Sequence, residues 1–303
     1  MKTRRKFVSD VSTFGAVGLC SPALLSTPVR ASHNILRIMR WKNFVPAYEA
    51  WFNDEFVRNW GQKNNTDVIV TNVGLAEIGR RAAQEIKAGE GHDLVLFLSP
   101  KPSLEDHTID HSDLHKECEN RFGKAYEFAE RSNVNPRTGR YHGFIESYAP
   151  TVVTYRKDIW DAVGTVPNTW DDIRKAGRAA KLLHEMPVGI SLAPEHNANH
   201  SLRALMAAFG ASVQNEDGRP ILASANTLEA LKFGKALYEE TMLPETLAWG
   251  SPSNNQSVLA GAVSLTIDTM SIIRAAEAKR LPVEPNLALA TLPEGPNGAG
   301  GPA

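Results

Sequence analysis

Short apolar runs alternate with stretches of helical periodicity in the first third of this chain, and that order constrains its architecture more than any compositional figure. Residues 35–41 form the first run, after which Phe52, Phe56 and Trp60 recur at helical spacing. A second run at 67–71 precedes an Ala- and charge-rich helical pattern at 78–88 that Gly89 stops, and a third run fills 93–98. Continuous apolar runs separated by helices indicate a parallel sheet covered on both faces. In such sheets ligands sit beyond the carboxyl ends of the strands.

The later part keeps the α/β character but enters it through a polar turn at 133–140, the segment 141–146 and the β-rich run 151–155. A crossing between two domains is expected there. A short helix is expected at 158–163, then a helix to 183 with Thr169 as its N-cap and Asp171 and Asp172 in its first turn. Residues 188–192 read as a strand, 200–209 and 227–240 as helices, and 263–267 as a strand returning to the first domain. A helix at 272–279 and a strand at 287–292 follow, and 293–303 has loop composition with no terminating element. The expected division is a leader at 1–31, a first lobe at 32–150, a second at 151–262 and a return to the first at 263–303.

The first 31 residues read as an address label. Arg4 and Arg5 lie near the start, a modestly apolar, Gly- and Ser-diluted run spans 11–25, and small or short residues precede a cut after Ala31. The Arg4-Arg5-Lys6-Phe7-Val8 segment resembles the signal of the twin-arginine export route, which implies a periplasmic protein. Cleavage would leave 272 of the 303 residues and remove five basic side chains and one acidic one, moving the formal charge from −1 to −5. An acidic mature chain of that size suits two ordinary domains and argues against a nucleic-acid partner, which demands a concentrated basic face. Of the two cysteines, Cys20 falls in the leader with bulky Leu19 before it, which disfavours lipidation, and Cys118 is left without a disulfide mate. No later apolar stretch approaches the length of a membrane helix.

Several segments together resemble family 1 extracellular solute-binding proteins, the sugar-capturing components of bacterial ABC importers. They include Trp41-Lys42-Asn43-Phe44-Val45-Pro46, Gly91-His92-Asp93, Gly139-Arg140-Tyr141-His142-Gly143-Phe144 and Tyr155-Arg156-Lys157-Asp158-Ile159-Trp160. Further on stand Val166-Pro167-Asn168-Thr169-Trp170-Asp171-Asp172-Ile173, Asn215-Glu216-Asp217-Gly218, the 259–267 segment and Leu292-Pro293-Glu294-Gly295-Pro296. The resemblance implies the two-lobed type II periplasmic binding fold, with parallel-rich sheets flanked by helices and a ligand cleft between the lobes. It also implies permease membrane subunits as partners, a monomer, and no enzymatic activity or cofactor. Relatives of that family continue well past the last matching segment, so the resemblance implies an ending short of the usual C-terminal helices.

A carbohydrate cleft needs aromatic plates for sugar faces and amides, hydroxyls and carboxylates for sugar rims. Trp41 and Phe44 lie beyond the first strand, and Phe97 and Ser99 at the end of the third; Trp41 is equally open to a core role, and Phe97 suits the core better than a ligand plate. Tyr148 lies by the expected crossing, facing the cleft or bracing the hinge. In the second lobe Asn199 and His200 stand before an expected helix whose free N–H groups would point at the ligand. Trp249, in a turn-rich stretch, and Asp268, at the end of a strand, complete the set, though Asp268 suits a helix cap as well.

Two rival chemistries are open in the residues. His107, His111 and His115 are spaced four apart among Asp110, Asp113, Glu117 and Cys118, a pattern able to hold zinc, and His196 and His200 repeat the spacing. A secreted glycosidase would need two facing acids, for which Glu146 and Asp268 are the available pair. No dinucleotide, phosphate-loop, nucleophile-elbow or iron–sulfur motif occurs.

Overall fold

The computed structural model describes residues 34–99, 101–215 and 217–299. The expected leader and Cys20 lie outside the described residues.

The chain opens with β1 (Asn34–Trp41), α1 (Pro46–Ala50), a π-helical turn (Trp51–Phe56) and α2 (Val57–Lys63). Then come β2 (Thr66–Val73), α3 (Ile78–Ala88) and β3 (Leu94–Leu96). Gly89 ends α3 in the left-handed region at φ 73°, where a side chain would be strained. The three strands form a parallel sheet in the order β2-β1-β3, as the alternation predicts. Met39, Val73, Ile78 and Ala82 form its core on the α3 side, with Trp41, Val95 and Phe97 packed against them.

Helices α4 (Ser112–Phe122) and α5 (Glu127–Asn133) lead to β4 (Val152–Arg156). Helices α6 (Lys157–Ala162), α7 (Trp170–His184), α8 (His196–Ala208) and α9 (Ala225–Thr241) follow. The Thr169 hydroxyl accepts the Asp172 N–H at 3.0 Å while the Asp172 carboxylate accepts the Thr169 N–H, a reciprocal cap that fixes the start of α7. The rest comprises α10 (Ser253–Leu259), β5 (Leu265–Asp268), α11 (Ser271–Lys279), β6 (Leu287–Ala290), and a hairpin of β7 (Glu294–Gly295) and β8 (Gly298–Ala299).

The second sheet differs from the reading above. β5 and β6 flank β4 and both run antiparallel to it, so the strand at 263–267 joins β4 and does not rejoin the first sheet. The side chains explain this placement: Leu265 and Ile267 are buried in one core with Val153, Tyr155, Trp160 and Trp170, under α7, α8 and α9. The run 188–192 is no strand; it touches β5 through a single parallel bridge between Val188 and Leu265. The 293–303 segment also carries the small β7–β8 hairpin where only loop was expected.

Candidate solute site

Beyond the first sheet the side chains divide between core and rim. Trp41 ends β1 with its ring edge-on to Phe44, centroids 5.7 Å apart, and is half-buried with Phe97 against the α3-side core. Both rings therefore serve packing, and either could reach a ligand only with its free edge. Ser99 is exposed just past β3. Arg40, 2% exposed, lies with its guanidinium over Phe52 and 3.5 Å from Glu49. Beside it the Tyr48 hydroxyl donates to Glu146 at 2.8 Å, tying α1 to the segment that leads into β4. Burial, with that contact second, pushes the Tyr48 hydroxyl up to about 12. Tyr148 itself is 62% exposed and its ring meets Phe128 at 4.3 Å.

In the second half the polar groups are joined into one chain of hydrogen bonds. Glu195 caps α8, accepting the N–H groups of Asn197 at 2.9 Å and Ala198 at 2.7 Å. The Asn197 amide donates to the Ser251 carbonyl and to Asn254, each at 3.0 Å, and the buried Asn254 amide donates onward to Asp268. Asp268 also accepts the Thr269 N–H at 2.6 Å. Burial pushes the Asp268 carboxyl above the usual carboxylate value, and the Glu195 charge adds to it, against the opposing bonds from Thr269 and Asn254. Trp249 lies two residues before Ser251, half-buried against Val258, Val263 and Ile272. The structure thus joins Trp249 and Asp268 through the loop and α10.

Two expectations change here. Asn199 and His200 lie inside α8, which starts four residues earlier than its expected start at 200, and the N–H groups of Asn197 and Ala198 in its first turn are taken by Glu195. Asn199 and His200 are exposed on the first turns. The His200 and His196 imidazoles meet through their Nε2 atoms at 2.9 Å. Burial, the His200 ring and the Lys101 charge together lower His196 to about 4. His200 is lowered as well, by withdrawal from water and by Arg203, although its surface keeps an exposed edge.

Sequence reasoning gave no role to Glu195, Asn197 and Asn254, and weighed His196 only as a metal ligand. Glu195 and Asn197 lie just ahead of the candidates Asn199 and His200; the signal missed was an acidic cap set immediately before a polar first turn. Asn254 carries no local sign of its role, because its partners are 57 and 14 residues away.

The zinc reading at His107, His111 and His115 finds no support. Among the described residues no group of three or more His, Cys, Asp or Glu side chains is placed to hold a metal ion. His107 ends a separate 3-10 turn, and His115 stacks on Tyr141 with its Nε2 at 3.0 Å from the Gly143 carbonyl. Two surface grooves, one lined by Arg37, Glu85, Glu90 and His92 and the other by Arg156, Gly261 and Asn286, lie apart from the polar chain. Among the described residues no helix is long and apolar enough to cross a membrane.

The architecture is that of two-lobed periplasmic binding proteins. The family model for bacterial extracellular solute-binding proteins matches residues 41–303, and the chain belongs to that family. Among solved structures it is similar to a solute-binding protein of an ABC transporter from Agrobacterium radiobacter K84 in complex with ribitol. That match has a TM-score of 0.73 at 17% identity, covering 88% of this chain and 68% of the other. Maltose-bound MalE3 of T. maritima is similar at TM-score 0.72 and 16% identity, with 87% and 68% covered. A sugar transporter protein from Arthrobacter chlorophenolicus A6 with bound laminaribiose gives 0.72 at 14% identity, with 88% and 68% covered. A comparison with curated protein sequences returned no match.

Proposed function

We propose that this protein captures a small polyhydroxylated solute, a sugar, sugar alcohol or short oligosaccharide, and delivers it unaltered to the membrane subunits of an ABC importer. The observation that carries this reading is the hydrogen-bonded chain Glu195, Asn197, Asn254 and Asp268, which reaches the loop of Trp249 through the Ser251 carbonyl. It holds acceptors and amides at fixed positions, which is the chemistry the polar rim of a sugar requires. Bound ribitol, maltose and laminaribiose in structures of the same fold point the same way.

In this reading Trp41, Phe44, Phe97, Ser99 and Tyr148 line one side of the cleft, and Asn199, His200, Trp249 and Asp268 the other. The solute closes the two sides by touching both, so affinity depends on contacts made only in the closed state. The protein works as a monomer in the periplasm, exported through its twin-arginine leader, and uses no catalytic residue or cofactor.

A thermal-shift screen against sugars and polyols tests the proposal. A solute present at 100 times its Kd stabilises the folded chain by about 2.7 kcal/mol. Tryptophan fluorescence should change with the same solute, and a reducing-end assay should show no turnover. A panel without any shift, or release of new reducing ends, would overturn the reading.

A further inference from the structure

His196 and His200 stand one turn apart on α8, with Nε2 atoms 2.9 Å apart and ring centroids 4.3 Å apart. We propose that this pair is a chelating site for a divalent transition-metal ion of the copper, nickel and zinc class, at the rim of the solute cleft.

The argument is geometric. Imidazole nitrogens bind such ions at about 2.0–2.1 Å. Two nitrogens at that distance and at right angles, as in square-planar or octahedral coordination, are about 2.9 Å apart, whereas a tetrahedral ion holds them about 3.4 Å apart. The observed spacing therefore accepts Cu2+ or Ni2+ with almost no ring movement, and Zn2+ after the rings open by about half an ångström. Access is available, because His200 is exposed and His196 only half-buried. Glu195 is committed to capping α8 through both its oxygens, so it lends negative potential and stays out of the coordination sphere. Water, or hydroxyls of a solute in the cleft, fills the remaining positions.

In the metal-free protein one Nε2 donates its proton to the other. Binding requires that ring to carry its proton on Nδ1, a change of tautomer that releases no proton to solvent. The site stands independently of the solute reading, since it needs only the first two turns of α8.

The test is titration of the untagged full chain with CuCl2 and with NiCl2 by calorimetry near neutral pH, in parallel with His196→Gln, His200→Gln and a His111→Gln control. One ion per chain is expected, with affinity falling at least tenfold in each α8 variant and unchanged in the control. Electron paramagnetic resonance of the Cu2+ form should show two coordinated imidazole nitrogens in the unmutated protein. Fewer than two nitrogens there, or equal affinity in the α8 variants, overturns the proposal without reference to how any variant folds. Loss of binding in the control alone overturns it as well. Sugar or polyol binding is read separately in the metal-free protein with a chelator present, so failure of one assignment leaves the other intact.

Discussion

Gly189→Ala should destabilise the protein and disturb Trp249 in one step. A Cβ at residue 189 would sit 2.8 Å from Cη2 of Trp249 and 2.8 and 2.9 Å from the two methyls of Val263. The backbone cannot retreat: Val188 N–H is bonded to the Thr241 carbonyl, Gly189 N–H to Leu265, and Ser264 N–H to Pro187. Val263 cannot yield easily either, being 4% exposed in a cluster with the fully buried Val258 and Ile272. Overpacking of this kind costs about 1–3 kcal/mol, offset by up to about 1 kcal/mol because alanine restricts the unfolded chain. A net loss of about 1–2 kcal/mol corresponds to a Tm lowered by roughly 2–3 °C in a chain of this size. The indole is the one neighbour with a free side, so it should swing outward and shift its emission, and solute affinity should fall with it. Denaturant titration of Gly189→Ala, Val263→Ala and the double variant measures the coupling. Val263→Ala opens the space the new methyl needs, so the double variant should be more stable than the sum of the single losses predicts by at least about 1 kcal/mol. Strict additivity, or a Gly189→Ala variant within about 0.5 kcal/mol of the parent, would refute the close approach of Gly189, Val263 and Trp249.

Three further outcomes are expected. His196 is held near 4 in the folded chain against 6.5 in the unfolded one, so the folded state resists its protonation and stability is lost as pH falls from 6.5 through 4. The shift sets an upper bound of about 3 kcal/mol, and about 1–2 kcal/mol remains after solvent screening of the half-buried ring; His196→Gln should abolish that acid loss in urea titrations at pH 7 and pH 4. Asp268 has the opposite sign: its raised carboxyl keeps its proton longer when folded, so stability falls as pH rises from the unfolded value of 3.8 through the folded one, and Asp268→Asn should flatten that limb of the pH profile. Thr169→Ala removes a reciprocal cap and should cost about 1 kcal/mol by denaturant titration, with no change in solute affinity.

What the sequence disclosed follows the range over which each interaction acts. The cap at Thr169 and the stop at Gly89 are written in four or five adjacent residues and were legible, as were the runs that became β1, β2 and β3. The start of α8 was placed late because its cap is Glu195, outside the Ser, Thr, Asp and Asn set that ordinarily marks a helix start. The helix after β1 was legible as helix, yet spacing by four at Phe52, Phe56 and Trp60 hides the π turn that brings Trp51 and Phe56 to 4.9 Å. Strand partnership was beyond reach, because the apolar run around Leu265 satisfies any sheet equally and only the waiting core of Trp160, Trp170 and Val153 selects its place.

The candidate site has the same logic in sharper form. Trp249 and Asp268 were visible as oddities of composition, a bulky indole in a turn and a carboxylate ending an apolar strand. The groups that join them were invisible, because Asn197 and Asn254 acquire meaning only when the fold brings the start of α8 to α10. A polar side chain buried to 1%, as Asn254 is, must find partners or lose stability, so the fold that buries it also fixes the orientation of Asp268. The rim is therefore preorganised by the same contacts that hold α10 against the second sheet. Truncating Asn254 to alanine should therefore destabilise that helix and, under the proposed function, weaken solute binding together with it.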